Sequence, residues 1–448
     1  MERQKMIQIF SIIISLFFVL LIYGHVAMAG PYLDSAHGNT GYGVLRTSLS
    51  AAPNDYAKGN CAHCHEQHAS IGGSEPTPLS GSASSFCIFA DNLSGVTANP
   101  YSQSDDFCFY CHCYTDASSL QTSNFTNYDY SHTFGGYSSS TPASIFAAFN
   151  QTSYHNLYDI QDFAQTNFSS FFESDSNPCV ACHNPHLAKR NKENVTDPSY
   201  TAISRPTVHE GLWGDGSGEK MSDYYSGHYR APYYSSSTST YEPGGTSTYN
   251  GSTMPDYATF CIDCHNNTNT IYSHALGRNL KTIDWETAGG ESGGDKHGKN
   301  AATVGLDIKN PFASSGLGVT IGFALSCLDC HEPHGAPNVM LIRNGVNGGT
   351  LAGNIPSFNS SNWPYLCCRC HQDDSSHGGS SYKFKYVHHL SSDSPYTLPE
   401  PNCAGCHGAG GDLWNKSQIA CYECHFHGAN DSYFASGLGK TATGRRTF

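Results

Sequence analysis

The pattern of hydrophobic and polar positions is weak along most of the chain, and it predicts few regular elements. Helical periodicity is confined to short stretches around residues 141–149 and 160–172, and the clearest strand signal is residues 339–343. Two stretches rich in Gly, Ser, Thr or Tyr, residues 224–253 and 288–298, read as surface loops. The expected fold is therefore mostly coil with short α-helices and little β structure.

The first 29 residues differ from everything that follows. Arg3 and Lys5 precede an apolar run over residues 6–23, and Ala27-Met28-Ala29 has the small residues of a signal peptidase site. Residues 1–29 are therefore interpreted as a signal peptide that exports residues 30–448. An uncleaved membrane anchor is the open alternative, because the run approaches the roughly 18 residues that a membrane span requires.

The composition explains why the pattern is weak. Only 38% of the 448 residues are hydrophobic and 13% are charged, while glycine supplies 45. Such a chain has little material for a conventional core, so covalent or metal-based crosslinks are expected to support the fold. The 19 cysteines and 24 histidines are candidates for that role.

Sixteen of the cysteines belong to one pentapeptide, C-x-x-C-H, which occurs eight times and defines attachment motifs 1 to 8 in chain order. Its cysteines are Cys61, Cys64, Cys108, Cys111, Cys179, Cys182, Cys261, Cys264, Cys327, Cys330, Cys367, Cys370, Cys403, Cys406, Cys421 and Cys424. Its histidines are His65, His112, His183, His265, His331, His371, His407 and His425. The motif histidines lie 47, 71, 82, 66, 40, 36 and 18 residues apart, so the motifs are sparse in residues 30–320 and dense in 321–448.

The spacing suits covalent haem attachment. Two thiols three positions apart can form thioethers to the two vinyl groups of one haem, and the following histidine becomes the proximal iron ligand. A structural zinc site does not need a histidine after every second cysteine, and a disulfide framework leaves the histidines unexplained. A thioredoxin-like redox pair is expected once rather than eight times. The sequence thus predicts eight covalent haem c groups.

Histidine is also the expected sixth ligand of each iron. The mature chain has only Met221, Met254 and Met340, whereas 15 histidines lie outside the attachment motifs and the signal. Bis-histidine ligation places the haems at low reduction potential, because methionine in place of histidine raises it. The favoured distal candidates are His37, His68, His132, His186, His297, His334, His388 and His427.

Three of these candidates, His68, His186 and His334, lie three residues beyond a motif histidine, and His427 lies two beyond another. On a helical turn such a residue emerges on the same face as the proximal ligand and cannot reach the far side of its own haem. We therefore hypothesise that these residues ligate a neighbouring haem.

The three remaining cysteines have no motif. Cys87 and Cys113 could form a disulfide in an oxidising compartment, and Cys368 is a spare thiol inside motif 6.

The attachment motifs, the C-H-x-P-H extensions at His183–His186 and His331–His334, and the Gly/Ser/Tyr-rich filler resemble the multihaem cytochromes of metal-reducing bacteria, including outer-surface members. The resemblance implies bis-histidine haems stacked in a chain. It also implies a periplasmic or outer-surface location in a Gram-negative bacterium, and electron exchange with other cytochromes, metal oxides or electrodes. A homopolymer is left open.

Two functions remain after this. The favoured one is an electron conduit, and the alternative is a reductase of a small nitrogen or sulfur oxyanion with one open catalytic haem. A non-enzymatic electron carrier is favoured for two reasons. The chain has no C-x-x-C-K variant, in which lysine replaces the proximal histidine, and it has more histidines than eight bis-histidine haems require. The net charge of −14 argues against nucleic acid as a partner.

Overall fold

The computed structural model describes residues 32–33, 35–41, 43–46, 49, 55–66, 86–90, 92–113, 142, 144–169, 171–186, 256–287, 295, 297–298, 325–347, 349–357, 360, 362–370 and 427. Within this part, most of the chain is coil with few helices and little strand, as the sequence pattern predicts. The signal segment and the predicted loop 224–253 lie outside the described residues, and so does most of the predicted loop 288–298.

The described α-helices are short. They span Ile145–Phe149, Leu157–Asn167, Asp256–Cys261 and Trp363–Cys370. The first two correspond to the two predicted helices, although the second begins and ends earlier than the pattern indicates. Asn156 decides its start, because its side chain accepts the backbone N–H groups of Tyr158 and Asp159.

The described strands are two residues long and form three separate antiparallel pairs. Ser153–Tyr154 pairs with Gly335–Ala336, Tyr272–Ser273 with Arg278–Asn279, and Gly345–Val346 with Gly349–Thr350. The predicted strand at 339–343 is wrong: Val339–Leu341 is a 3-10 turn, followed by a single bridge between Ile342 and His331. Met340 and Leu341 have positive φ angles, which end any extended run there.

The same local turn recurs at the five attachment motifs whose residues are fully described, motifs 1 to 5. In each, the histidine N–H donates to the carbonyl of the first cysteine over 2.9 Å. The turn lies on the motif itself. Four of the turns are 3-10 helices with a polar cap just before them, namely Asn60, Asp106, Asn177 and Ser326. Short polar residues before a motif are thus local start signals.

Side-chain packing forms several small clusters, each next to motif cysteines. One cluster contains Ile342, Ile355 and Trp363 and contacts Cys330 and Cys370. Others contact Cys179, Cys264 or Cys327. No helix within the described ranges is both long and apolar enough to span a bilayer.

The helix cap at Asn156 gives a first prediction. Asn156→Ala should lower the free energy of unfolding by about 0.5–2 kcal/mol, because two helix N–H groups lose their acceptor. Chemical denaturation of the purified protein measures it. Thr166→Ala, an exposed change in the same helix, should stay within about 0.5 kcal/mol of the parent. Equal effects at both positions would contradict the role of the cap.

Candidate functional site

Each of the five described motif histidines stands opposite a histidine that belongs to no motif. We number these histidine pairs 1 to 5 by the motif. The pairs are His65 with His186, His112 with His37, His183 with His334, His265 with His155, and His331 with His427. All five ring-centroid distances lie between 5.9 and 6.0 Å, whereas the angle between the ring planes varies from 10° to 79°.

This distance fits two imidazoles on opposite sides of one metal ion. A metal–imidazole bond is about 2.0–2.1 Å and a ring centroid lies roughly 1 Å behind its nitrogen, so the two centroids should be about 6 Å apart. Direct ring contacts elsewhere vary more, from 4.7 Å for Phe89 and Phe107 to 6.5 Å for Tyr101 and Phe149. The donor set therefore fits a bis-histidine haem.

In three of the paired histidines, a hydrogen bond from Nδ1 leaves the other ring nitrogen, Nε2, available to bind a metal. Nδ1 of His65 donates to the Phe86 carbonyl over 3.0 Å, Nδ1 of His37 to Pro185 over 2.7 Å, and Nδ1 of His331 to Met340 over 2.8 Å. A ligand histidine usually donates its other ring N–H in this way, which fixes its orientation. In these three residues Nε2 remains for a metal.

The five pairs form a row in the order of the motifs. Electrostatic interactions connect His186 with His37, His112 with His334, and His155 with His334. They also connect His265 with both members of pair 5. The motif sulfurs of neighbouring sites are coupled as well: Cys64 to Cys108, Cys108 to Cys179, Cys182 to Cys264, and Cys330 to Cys370. Motif 6 is thus adjacent to motif 5.

Burial holds these rings in the form that binds metals. Burial is the largest cause and neighbouring imidazoles add to it, so that the pKa falls to about 4 for His112, His155 and His331 and to about 3 for His183 and His265. The pKa values of His37 and His186 are also lowered, mainly by burial. These imidazoles are neutral at physiological pH, as metal ligation requires.

The two C-H-x-P-H segments have the same arrangement, and each serves three successive pairs. In the first, His183 belongs to pair 3, the Pro185 carbonyl accepts from His37 of pair 2, and His186 belongs to pair 1. In the second, His331 belongs to pair 5 and His334 to pair 3. The backbone of Pro333 hydrogen-bonds the ring of His155 in pair 4. Neither second histidine faces the histidine of its own motif.

His155 was missed among the favoured distal candidates. It lies between the strand Ser153–Tyr154 and the cap Asn156, and it is brought to pair 4 by pairing of that strand with Gly335–Ala336. Gly335 permits the approach, because a Cβ there would stand 1.9 Å from the Ala148 carbonyl. The strand partner lies 181 to 183 residues further along the chain and left no signal in the local sequence.

The other predicted ligands divide into described and undescribed residues. His297 lies beside pair 5, where its backbone N–H donates to the His427 carbonyl over 3.2 Å. His63, which lies inside motif 1, uses both ring nitrogens within the fold: one accepts from the Arg46 N–H and the other donates to the Ala57 carbonyl. The predicted residues outside the described part are His68, His132, His371, His388, Cys403, Cys406, His407, Cys421, Cys424 and His425.

A second group of possible ligands lies between motifs 2 and 3. Oxygen and sulfur atoms of Asp106, Cys108 and Cys179 lie within 4.8 Å of one another. Asn177 donates to Asp106 over 3.1 Å, and burial raises the pKa of Asp106 to about 6. Because both sulfurs belong to attachment motifs and the carboxylate caps a motif turn, we assign this group to packing between the two motifs.

Comparisons with known proteins add no assignment. No protein-family model, curated protein or solved structure matches the chain. The arrangement of its own residues is therefore the basis for a functional proposal.

The two cysteines considered for a disulfide are not bonded to each other. Cys87 is exposed, whereas Cys113 is buried with its sulfur near Gln103 and the Tyr110 carbonyl. A thiol reagent should therefore label Cys87 in the native protein, and Cys113 only after unfolding without reductant. Peptide mass mapping measures both. Labelling of these two cysteines only after reduction would instead indicate the disulfide.

Proposed function

We propose that this chain is an exported octahaem c-type cytochrome that transfers electrons and has histidine on both axial positions of most or all haems. The observation that carries the proposal is the second imidazole, 5.9 to 6.0 Å away, opposite every described motif histidine. A haem bound in this way supplies a one-electron couple without an open coordination position. The chain's own residues attach the group, fix its axial ligands and exclude water from them.

The row of pairs supports a conduit. Pairs 1 to 5 interact electrostatically with their neighbours, and the Cys370 sulfur of motif 6 interacts with Cys330 of motif 5. The C-H-x-P-H segments hold consecutive sites together, because one rigid tetrapeptide contributes a contact to each of three pairs. Such an arrangement keeps the spacing between sites constant.

The reductase alternative requires an iron with an open position. In the described part of the chain, all five motif histidines have a histidine opposite, which favours electron transfer at those sites. We further propose that the partners are other redox proteins, metal oxides or electrodes in the periplasm or at the outer surface. The net charge of −14 supports cationic rather than anionic partner surfaces.

Spectropotentiometric titration of the purified mature protein tests the proposal. We expect a Soret band, a mass increase corresponding to eight haems, low-spin ferric spectra and low midpoint potentials. A protein that weighs no more than its amino acids and lacks Soret absorption would refute the proposal. A substantial high-spin ferric component would favour the reductase instead.

The unpredicted ligand provides a sharper test. His155→Ala should leave His265 without its opposite imidazole and convert about one haem in eight to a high-spin form, measured by electron paramagnetic resonance. His274→Ala is the matched control, because that ring contacts Tyr158, Tyr272 and Asp159. It should leave all haems low-spin. A low-spin His155→Ala protein would contradict the assignment of pair 4.

A further inference from the structure

The two C-H-x-P-H segments differ at one position, and the difference changes the surroundings of a distal ligand. The variable residue is Asn184 in the first segment and Glu332 in the second. The Asn184 side chain accepts the backbone N–H of His186 over 3.0 Å. Oε1 of Glu332 instead lies 3.4 Å from Nδ1 of the His334 ring. Pair 3 thus has a carboxylate beside its distal imidazole.

A buried arginine holds this carboxylate. Nη2 of Arg343 lies 3.3 Å from Oε2 of Glu332, and both side chains are almost fully buried. Arg343 is itself fixed, because its Nη1 donates to the Leu328 carbonyl over 2.9 Å and its backbone N–H donates to Cys330. Buried charges are expensive unless they are paired, so this ion pair restricts where the carboxylate can stand.

A buried Glu–Arg ion pair also lies next to motif 1. Glu66 also follows its motif histidine, and it pairs with Arg46 over 3.0 Å in equally buried surroundings. The local backbone is equivalent too: His65 bridges Ile88 as His331 bridges Ile342, and Cys87 and Leu341 both have positive φ angles. A buried Glu–Arg pair next to the motif histidine therefore occurs twice in the described part of the chain. The glutamate directly follows the motif in both cases, but the arginine precedes motif 1 and follows motif 5.

We infer that Glu332, held by Arg343, is a positioning residue that orients the His334 ring and makes it a stronger electron-pair donor to iron. The haem attached at motif 3 then has a lower reduction potential than it would have with a neutral group in place of the carboxylate. The inference rests on the proposed function. A carboxylate at the outer nitrogen raises the basicity of a ligand imidazole, and a more basic ligand stabilises the oxidised metal. Nδ1 of His37, His65 and His331 instead contacts a neutral carbonyl. Nδ1 of His427 in pair 5 lies 3.6 Å from Oδ2 of Asp295, so pair 5 also has a carboxylate beside its second imidazole.

The test uses the full-length haem-loaded protein and measures the individual components of its potentiometric titration. Glu332→Gln should shift one low-potential component upward and alter one low-spin ferric resonance signal. Arg343→Met should shift the same component downward at high pH, where the carboxylate stays ionised although it has lost its neutralising partner. A merely structural role would not produce opposite shifts. Unchanged potentials in both variants would overturn the inference.

Two further proteins separate the effect from folding and from general electrostatics. Glu332→Gln combined with Arg343→Met leaves no unpaired buried charge and should still shift the component upward. In a His334→Met background, which lacks the ring nitrogen, the effect of Glu332→Gln should largely disappear. An undiminished shift in that background would overturn the coupling through His334.

Asp159→Asn is the matched control. Its carboxylate lies 2.6 Å from Nδ1 of His274, a histidine that packs against tyrosines, so no potential should change. A shift as large as that of Glu332→Gln would count against a specific role for Glu332. Failure of this inference can be distinguished from failure of the proposed function, because in the second case the parent protein itself would contain no haem.

Discussion

The described structure depends on bringing a second imidazole to about 6 Å from the motif histidine at each of motifs 1 to 5. A motif provides its own turn locally, through the bond from the histidine N–H to the first cysteine carbonyl. It cannot provide the opposite ring, which must come from elsewhere in the chain. Burial then prevents protonation of several of these rings, shown by the pKa of about 3 for His183 and His265.

This requirement explains how the described part of the chain, which has little regular structure, is organised. The described strands pair only over two residues, yet the pair of Ser153–Tyr154 with Gly335–Ala336 delivers His155 to its site. The apolar clusters are small and adjoin motif cysteines instead of forming one core. Attached porphyrins would supply the missing apolar surface, so that cofactor attachment and folding become coupled.

The C-H-x-P-H segments connect local sequence to long-range order. Four residues place a motif histidine in one pair, the backbone of a proline against a ring of the preceding pair, and a second histidine in the pair before that. Spacing between sites is then determined by a short segment containing a conformationally restricted proline. The variable residue within the segment can adjust one site without altering the spacing, as the contrast between Asn184 and Glu332 illustrates.

The sequence by itself contained the eight C-x-x-C-H motifs, and it predicted the mostly coiled character of the described part and the two short helices near 145 and 160. That histidine rather than methionine is the second axial ligand stays a prediction. The sequence could not assign partners, because contacts such as His155 with His265 depend on chain crossings that leave no local pattern. The strand predicted from the sequence at 339–343 is absent because Met340 and Leu341 have positive φ angles there, and Ile342 forms a single bridge to the distant His331. Only the tertiary structure decided which imidazoles meet, because a ligand's position is set by packing between distant segments rather than by its neighbours in sequence.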